Sequence, residues 1–300
     1  MKSVIGTVPV ADGTILRTRH WASTASASHP AGTVLIVHGL AEHSGRWEHV
    51  GEQFAAEGFD AHAYDLRGHG ASAGRRVHLD RFDQFYADLA ERLLSVRSKD
   101  PGSPLVLYGH SMGGLIALGY VLRVAAGLSG APGAPGPPTG RPLPALLVLS
   151  APSLDSTLPA WKLRLARVLG RFVPTLSIPN HIAGQLLSRD ATVGERYHGD
   201  PLVLHAATTG FGALALAEQD WIRSSLGSLR LPTLVIHGAD DALVPAAASA
   251  PLGDVTGVTR WTYPGIRHEL HNEPEGPRIV ADVIAWIKAA LPAVPAVPVG

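Results

Sequence analysis

Three hundred residues, 46% of them apolar and 17% charged, describe a globular chain with ample core, in one large domain or two small ones. A formal net charge of zero offers no basic field and argues against a nucleic-acid partner. The absence of cysteine excludes disulfides, thiol catalysis and thiolate metal sites.

The first residues carry no apolar stretch ahead of a cleavage site, and no apolar run is long enough to span a bilayer, so the expectation is a cytoplasmic protein. Residues 3–8 and 14–21 are β-rich and meet at Asp12-Gly13, a hairpin signal. Residues 33–37 are a continuous apolar, β-branched run, as in a strand buried on both faces of a parallel sheet, and end in His38-Gly39-Leu40. A helix is expected over 47–57, a strand over 59–64, and a polar, glycine-punctuated loop over 65–70. Phe82, Phe85, Leu89, Leu93 and Val96 share one face of a helix over 82–98. Residues 105–108 form the next strand and 115–126 the next helix. Residues 127–142 are almost entirely small residues, glycine and proline, and read as a flexible surface loop on the side away from Ser111. A strand over 143–150 follows. Residues 152–212 then lose the strand–helix alternation and read as an inserted helical cap. Strands over 231–237 and 258–263 and a helix over 277–291 close the chain, ahead of a frayed tail. This alternation predicts a mostly parallel sheet with helices on both faces. Its core is built from 1–151 and 213–300.

Gly109, Ser111 and Gly113 stand between a strand and a helix as Gly-x-Ser-x-Gly. A turn this sharp forces the serine into a strained backbone and holds its hydroxyl at the helix N-terminus, where negative charge is favoured. The serine needs a base, and the base needs an acid to orient it. In wound α/β sheets such groups collect at the carboxyl ends of strands. Asp241 follows the strand ending at His237, and His268 follows the last strand; Asp240 competes with Asp241 on spacing alone. An oxyanion hole would use the backbone N–H of Met112 and that of Leu40. His110 and His38 read as structural. His268 and His271 lie three apart, not four, so they do not make a zinc-binding helix and no metal is expected.

The segment His38-Gly39-Leu40-Ala41-Glu42-His43-Ser44-Gly45-Arg46-Trp47 resembles the HG-x-x-EHSGRY segment of the monoacylglycerol lipases, with Trp47 where tyrosine is usual. Asp65-x-Arg67-Gly68-His69-Gly70-x-Ser72, the serine motif, Ser150-Ala151-Pro152, Gly238-x-x-Asp241-x-x-Val244-Pro245 and Tyr263-Pro264-Gly265-x-x-His268-Glu269 follow in that family's order. The resemblance implies an α/β-hydrolase fold of about eight strands and places the acid at Asp241. It also implies an acyl-enzyme on Ser111, no cofactor, and a monoacylglycerol or related small ester as substrate. Glu42, Arg46 and His271 become candidates for glycerol contact, with a loop-stiffening Glu42–Arg46 salt bridge as the alternative. Another carboxylesterase, a lysophospholipase or a serine peptidase would share the triad, and a ligand-binding receptor could share the scaffold.

Within the cap, Trp161, Leu165, Val168, Leu169 and Phe172 recur at helical spacing beside Arg164, Arg167 and Arg171, between Pro159 and Pro174. Such a helix either touches a membrane surface peripherally or packs its apolar face on the site entrance and leaves its arginines solvated.

Overall fold

Eight strands join into one sheet in the computed structural model, which describes residues 2–24, 30–128, 142–156, 158–180 and 182–291. Strands β1 (Val4–Pro9) and β2 (Ile15–Trp21) form the expected antiparallel hairpin, with Gly13 at φ 84° in its turn. Next come β3 (Gly32–Val37), a one-turn helix at Ser44–Trp47, α1 (Glu48–Ala56), β4 (Phe59–Tyr64), α2 (Asp83–Lys99), β5 (Leu105–His110) and α3 (Met112–Ala125). The chain continues through β6 (Leu146–Ser150), α4 (Ala160–Phe172), β7 (Ser177–Pro179), α5 (Ala191–Gly199), β8 (Ala206–Thr208) and α6 (Thr209–Ser225). It ends with β9 (Thr233–Gly238), β10 (Val258–Tyr263) and α7 (Gly276–Ala290).

The sheet order is β1-β2-β4-β3-β5-β6-β9-β10. β2 runs antiparallel to β4, and every pairing from β4 to β10 is parallel. Six strands therefore end at one edge of the sheet, where loops can gather functional groups.

Alternation with period two explains why the central strands are apolar throughout. Leu35, Val37, Leu105, Leu107, Leu147, Leu149 and Val235 pack with α2 and α3 on one face. Val34, Ile36, Val106, Tyr108, Leu146, Val148, Leu234 and Ile236 pack with α1 and α7 on the other. Side chains of this size contribute roughly 1.5–3 kcal/mol each when fully buried. Two strands start later than their apolar runs suggest: β6 at Leu146 and β9 at Thr233. Pro144 and Pro232 precede them, and a residue without an N–H cannot donate to an interior ladder.

The expected boundary at 212 falls inside α6, which belongs to two layers. A Cβ on Gly119 of α3 would lie 3.0 Å from Ile222 on α6, and one on Gly170 of α4 would lie 2.3 Å from the Ala213 Cβ. β7 and β8 pair antiparallel as a separate ribbon. Among the described residues no helix is long and apolar enough to cross a membrane.

Most of the 127–142 stretch and the tail beyond 291 lie outside the described residues. The described residues on either side of it, at the end of α3 and ahead of β6, lie at the sheet edge opposite Ser111. There the Tyr120 hydroxyl donates to the Pro142 carbonyl at 2.9 Å.

Candidate active site

Ser111 joins β5 directly to α3 at φ 51° and ψ −117°, a left-handed conformation that costs a non-glycine residue of order 1–3 kcal/mol. Glycines make the turn possible. A Cβ on Gly109 would lie 2.5 Å from the Gly113 carbonyl oxygen, and one on Gly113 would lie 2.1 Å from that of Val37. The turn is pinned by the Ser111 N–H, which donates to the Ser150 carbonyl at 2.9 Å.

The loops after β9 and β10 bring the other two groups to this turn. His268 Nε2 lies 2.9 Å from Ser111 Oγ, and its Nδ1 lies 2.7 Å from Asp241 Oδ2. Asp241 Oδ1 accepts the N–H groups of Leu243 and Val244, both at 2.9 Å. Burial works against ionising Asp241, but hydrogen bonds from His237 and His268 outweigh it and hold the carboxyl well below its usual range. Burial likewise opposes the charged form of His268, yet the hydrogen bond and charge of Asp241, with Glu269 and Glu42 behind them, leave its pKa above the ordinary value. A base of raised pKa oriented by an ionised acid is suited to taking a hydroxyl proton and later returning it. Asp240 is exposed, and its N–H donates to the Ile266 carbonyl; it does not reach His268.

Met112 is the first residue of α3, so its N–H is among those a helix leaves without an internal acceptor. Leu40 lies in the loop after β3 and lines the same cavity as Met112; that loop sits against Ser111, since a Cβ on Gly39 would stand 3.2 Å from the Ser111 Cβ. That loop is heavily braced. Glu42 Oε1 accepts the Gly39 N–H at 2.6 Å, His38 Nε2 accepts the Leu66 N–H at 2.9 Å, and Asp65 accepts from the N–H and hydroxyl of Ser44. Burial keeps His38 neutral, its pKa lowered to about 4, so it orders the loop as expected.

Glu42 and Arg46 form the anticipated ion pair at 3.0 Å, but a third member completes it. Glu269, next to the base, takes Arg46 in a two-pronged contact at 2.6 and 2.7 Å, and the guanidinium lies 5.0 Å from the Tyr197 ring centroid. Burial and the neighbouring Glu269 raise the Glu42 pKa, while Arg46 opposes the rise.

A cavity of about 330 Å³ opens onto Ser111. Leu115, Leu158, Ile182, Leu187, Phe211 and Val244 line its apolar part; Glu42, Glu269 and Tyr197 supply polar groups. Arg46 and His271, two of the three anticipated contacts, are not among its lining residues. His271 is buried, its ring stacked on Trp47 at 3.9 Å between centroids. Burial lowers its pKa well below the ordinary value. Tyr197 and Glu269 line the cavity and are not among the anticipated residues. Glu269 was within reach of sequence reasoning as the neighbour of His268, whereas nothing local marks Tyr197. His110 is buried, with Nδ1 3.2 Å from both the carbonyl and hydroxyl of Ser150, a structural placement.

Among the described residues one cluster, His20, Asp60 and His62, has the composition of a metal site. It lies between β2 and the start of β4, away from the carboxyl edge that carries Ser111. Arg92 and Lys99 beside His62 oppose a cation there.

Comparison with known proteins finds relatives over nearly the whole chain. A family model described as "Serine aminopeptidase, S33" matches residues 28–275. A monoacylglycerol lipase of Mycolicibacterium smegmatis is 34% identical over 87% of this chain and 90% of its own length. The human monoglyceride lipase is 32% identical over 88% of this chain and 82% of its own. Among solved structures, the monoacylglycerol lipase of Paleococcus ferrophilus aligns at a TM-score of 0.76 and 27% identity, covering 92% of this chain and 99% of that one. With the family model and these relatives matching over nearly the whole length, the chain belongs to the monoacylglycerol lipase family of the α/β-hydrolases.

Proposed function

We propose that the protein hydrolyses monoacylglycerols to glycerol and free fatty acid through an acyl-enzyme on Ser111. The observation that carries this reading is the unbroken line Ser111–His268–Asp241 at one end of a cavity with an apolar part and a cluster of carboxylates. His268 takes the Ser111 proton as Oγ attacks the ester carbonyl, and the Leu40 and Met112 amides receive the charge on the tetrahedral oxygen. The imidazolium then protonates the leaving glycerol oxygen. Water, deprotonated by the same imidazole, attacks the acyl-enzyme and releases the acid. Asp241 stays ionised throughout and holds the Nδ1–H tautomer. The acyl chain lies along Leu115, Leu158, Ile182 and Phe211. Glu42, Glu269 and Tyr197 meet the glycerol hydroxyls, with Arg46 holding both carboxylates in place and His271 supporting Trp47. The M. smegmatis and human relatives carry the name of this activity.

In the same reading, residues 152–212 act as the cap over this cavity, supported by Ser153, Leu158, Asn180, Ile182, Leu187 and Tyr197 in its wall. The outward face of α4 meets lipid. Trp161 is 62% and Phe172 73% exposed, with Leu165 and Val168 between them, while Gly170 seats the opposite face on α6. Large apolar side chains aligned on one helix face suit an interfacial contact.

The test is a hydrolysis panel of monoacylglycerols of graded chain length, di- and triacylglycerols, lysophospholipids and aminoacyl amides. Monoacylglycerols should be turned over fastest. Preference for an aminoacyl amide or a lysophospholipid would replace this substrate assignment.

A further inference from the structure

Asp241 has a second imidazole partner. His237, at the end of β9, is fully buried, and its Nε2 lies 3.2 Å from the same Oδ2 that receives His268. That Nε2 also lies 2.9 Å from the Val244 carbonyl oxygen. Both neighbours are acceptors, so Nε2 carries a proton. On the other side of the ring, Nδ1 lies 2.8 Å from the hydroxyl of Ser249, which is also fully buried.

The hydrogen-bond inventory fixes the direction of what lies beyond. Arg260, on β10, can only donate, and its Nε lies 3.2 Å from Ser249 Oγ. The Ser249 hydroxyl has two acceptors in reach, His237 Nδ1 and the Ala246 carbonyl at 3.1 Å. With the ring proton on Nε2, Nδ1 is an acceptor and the Ser249 hydroxyl is the donor 2.8 Å from it, while the Ala246 carbonyl is met by Arg260 Nη2 at 2.7 Å; the hydroxyl proton therefore goes to Nδ1. With one ring proton on His237, every group then has a partner, and all donors point one way.

We propose that Arg260, Ser249 and His237 form a directed donor chain that ends on the catalytic carboxylate, fixes its rotation and tempers its charge. It makes His237 a positioning residue for the base and links the reaction to a guanidinium on the edge strand. The proposal rests on the assignment of Ser111, His268 and Asp241 as the reacting line. Hydrogen bonds in series polarise one another, and a donor on Oδ2 draws off charge that would otherwise hold the imidazolium. Breaking the chain therefore leaves His268 protonated to higher pH. The charged and titratable groups around that ring are Asp241, Glu269, Glu42 and His271, with the His110 ring tilted against it at 5.0 Å between centroids.

The readout is the acid limb of kcat/KM against pH, which reports the base in the free enzyme. Ser249→Ala should move it up by about half a unit and His237→Leu by about one unit, the scale of a single lost charge-assisted hydrogen bond. His237→Gln, which keeps a side-chain N–H near the position of Nε2, should return the limb most of the way. Arg260→Gln should shift it in the same direction as Ser249→Ala. Where His237→Leu fails to fold, the Ser249 and Arg260 variants carry the test. A limb that stays put in the variants that fold would make the chain mere packing and overturn the proposal, whatever their unfolding temperatures. A limb that moves in Arg260→Gln and not in Ser249→Ala would also overturn it, since the cation would then act across space. Asp241→Asn is the control for the underlying assignment. Full turnover in that variant would remove the triad itself, a result distinct from an unmoved limb.

Discussion

Ser111, Gly109 and Gly113 show how one backbone conformation can be read from three residues. The left-handed φ of Ser111 is tolerable because β5 and α3 hold it from both sides, and each glycine stands where any Cβ would strike a carbonyl oxygen. The proposed acid needed more than spacing. Asp240 and Asp241 are neighbours, and only the fold separates them: one is exposed, and the other lies 2.7 Å from the His268 ring. Asp241→Asn should therefore lower turnover by roughly 10⁴, as expected when the base loses its tautomer, while Asp240→Asn stays within a few-fold of wild type. The reverse pattern in steady-state rates would move the acid by one residue. The Glu42–Arg46 pair was legible from its four-residue spacing. Its third member, Glu269, lies 223 residues from Arg46 in sequence, and no local pattern could join them.

At the scale of elements, α1 and α4 show where local pattern falls short. Gly51 stands inside α1, where glycine costs about 1 kcal/mol relative to alanine. Its reason is Trp21 of β2, whose ring would lie 2.2 Å from a Cβ at that position and whose Nε1 donates to Glu48 at 3.0 Å. Gly51→Ala should destabilise by roughly 1–3 kcal/mol despite its better helix propensity, because overpacking outweighs it. A urea midpoint at or above wild type would contradict this. In α4 the apolar spacing was legible, but the direction of its apolar face was not, since only tertiary contacts decide it. Of the two readings of this helix, packing of the apolar face on the site entrance does not fit, because Trp161 and Phe172 are exposed. Arg167 is ion-paired with Asp220 at 2.8 Å, so the aromatic residues are the better probes. Replacing both with serine should weaken hydrolysis of monoacylglycerol in vesicles several-fold and spare a short soluble ester. Equal losses on the two substrates would refute a lipid-facing role.

Across the whole molecule, the sheet was largely legible because buried parallel strands are apolar throughout and helices keep their own period. The convergence of Tyr197, Glu269 and His237 on the site was not, because each arrives from a separate segment. The same burial has a consequence for pH. His38, His62 and His69 have pKa values lowered to about 4, 2 and 3, and His110 and His271 are lowered well below the ordinary value, all chiefly by burial. The unfolded chain takes up protons below about pH 6.5 that these folded histidines refuse, so stability falls as pH drops through that value. Each contributes up to about 1.4 kcal/mol per pH unit until its folded pKa is reached. His268, with its raised pKa, acts the other way: its contribution is present below the unfolded value and lost as pH rises through the folded one. Glu42 and Asp88, whose carboxyls burial raises, the latter to about 6, also gain stability as pH falls, but His49 is lowered along with the five above, and three groups against six leave a net acid sensitivity. Urea unfolding at pH 8, 6 and 5 should show a steep loss below pH 6.5, and a flat profile from pH 7 to 5 would refute the account of these sites.

The reacting line itself is tested most directly by the release of glycerol from a monoacylglycerol, compared between wild type and Ser111→Ala at matched unfolding temperature. Turnover in the variant should fall by at least ~10⁴, leaving only what the oxyanion amides and binding supply. A variant that kept its rate within tenfold of wild type would mean that Ser111 is not the nucleophile.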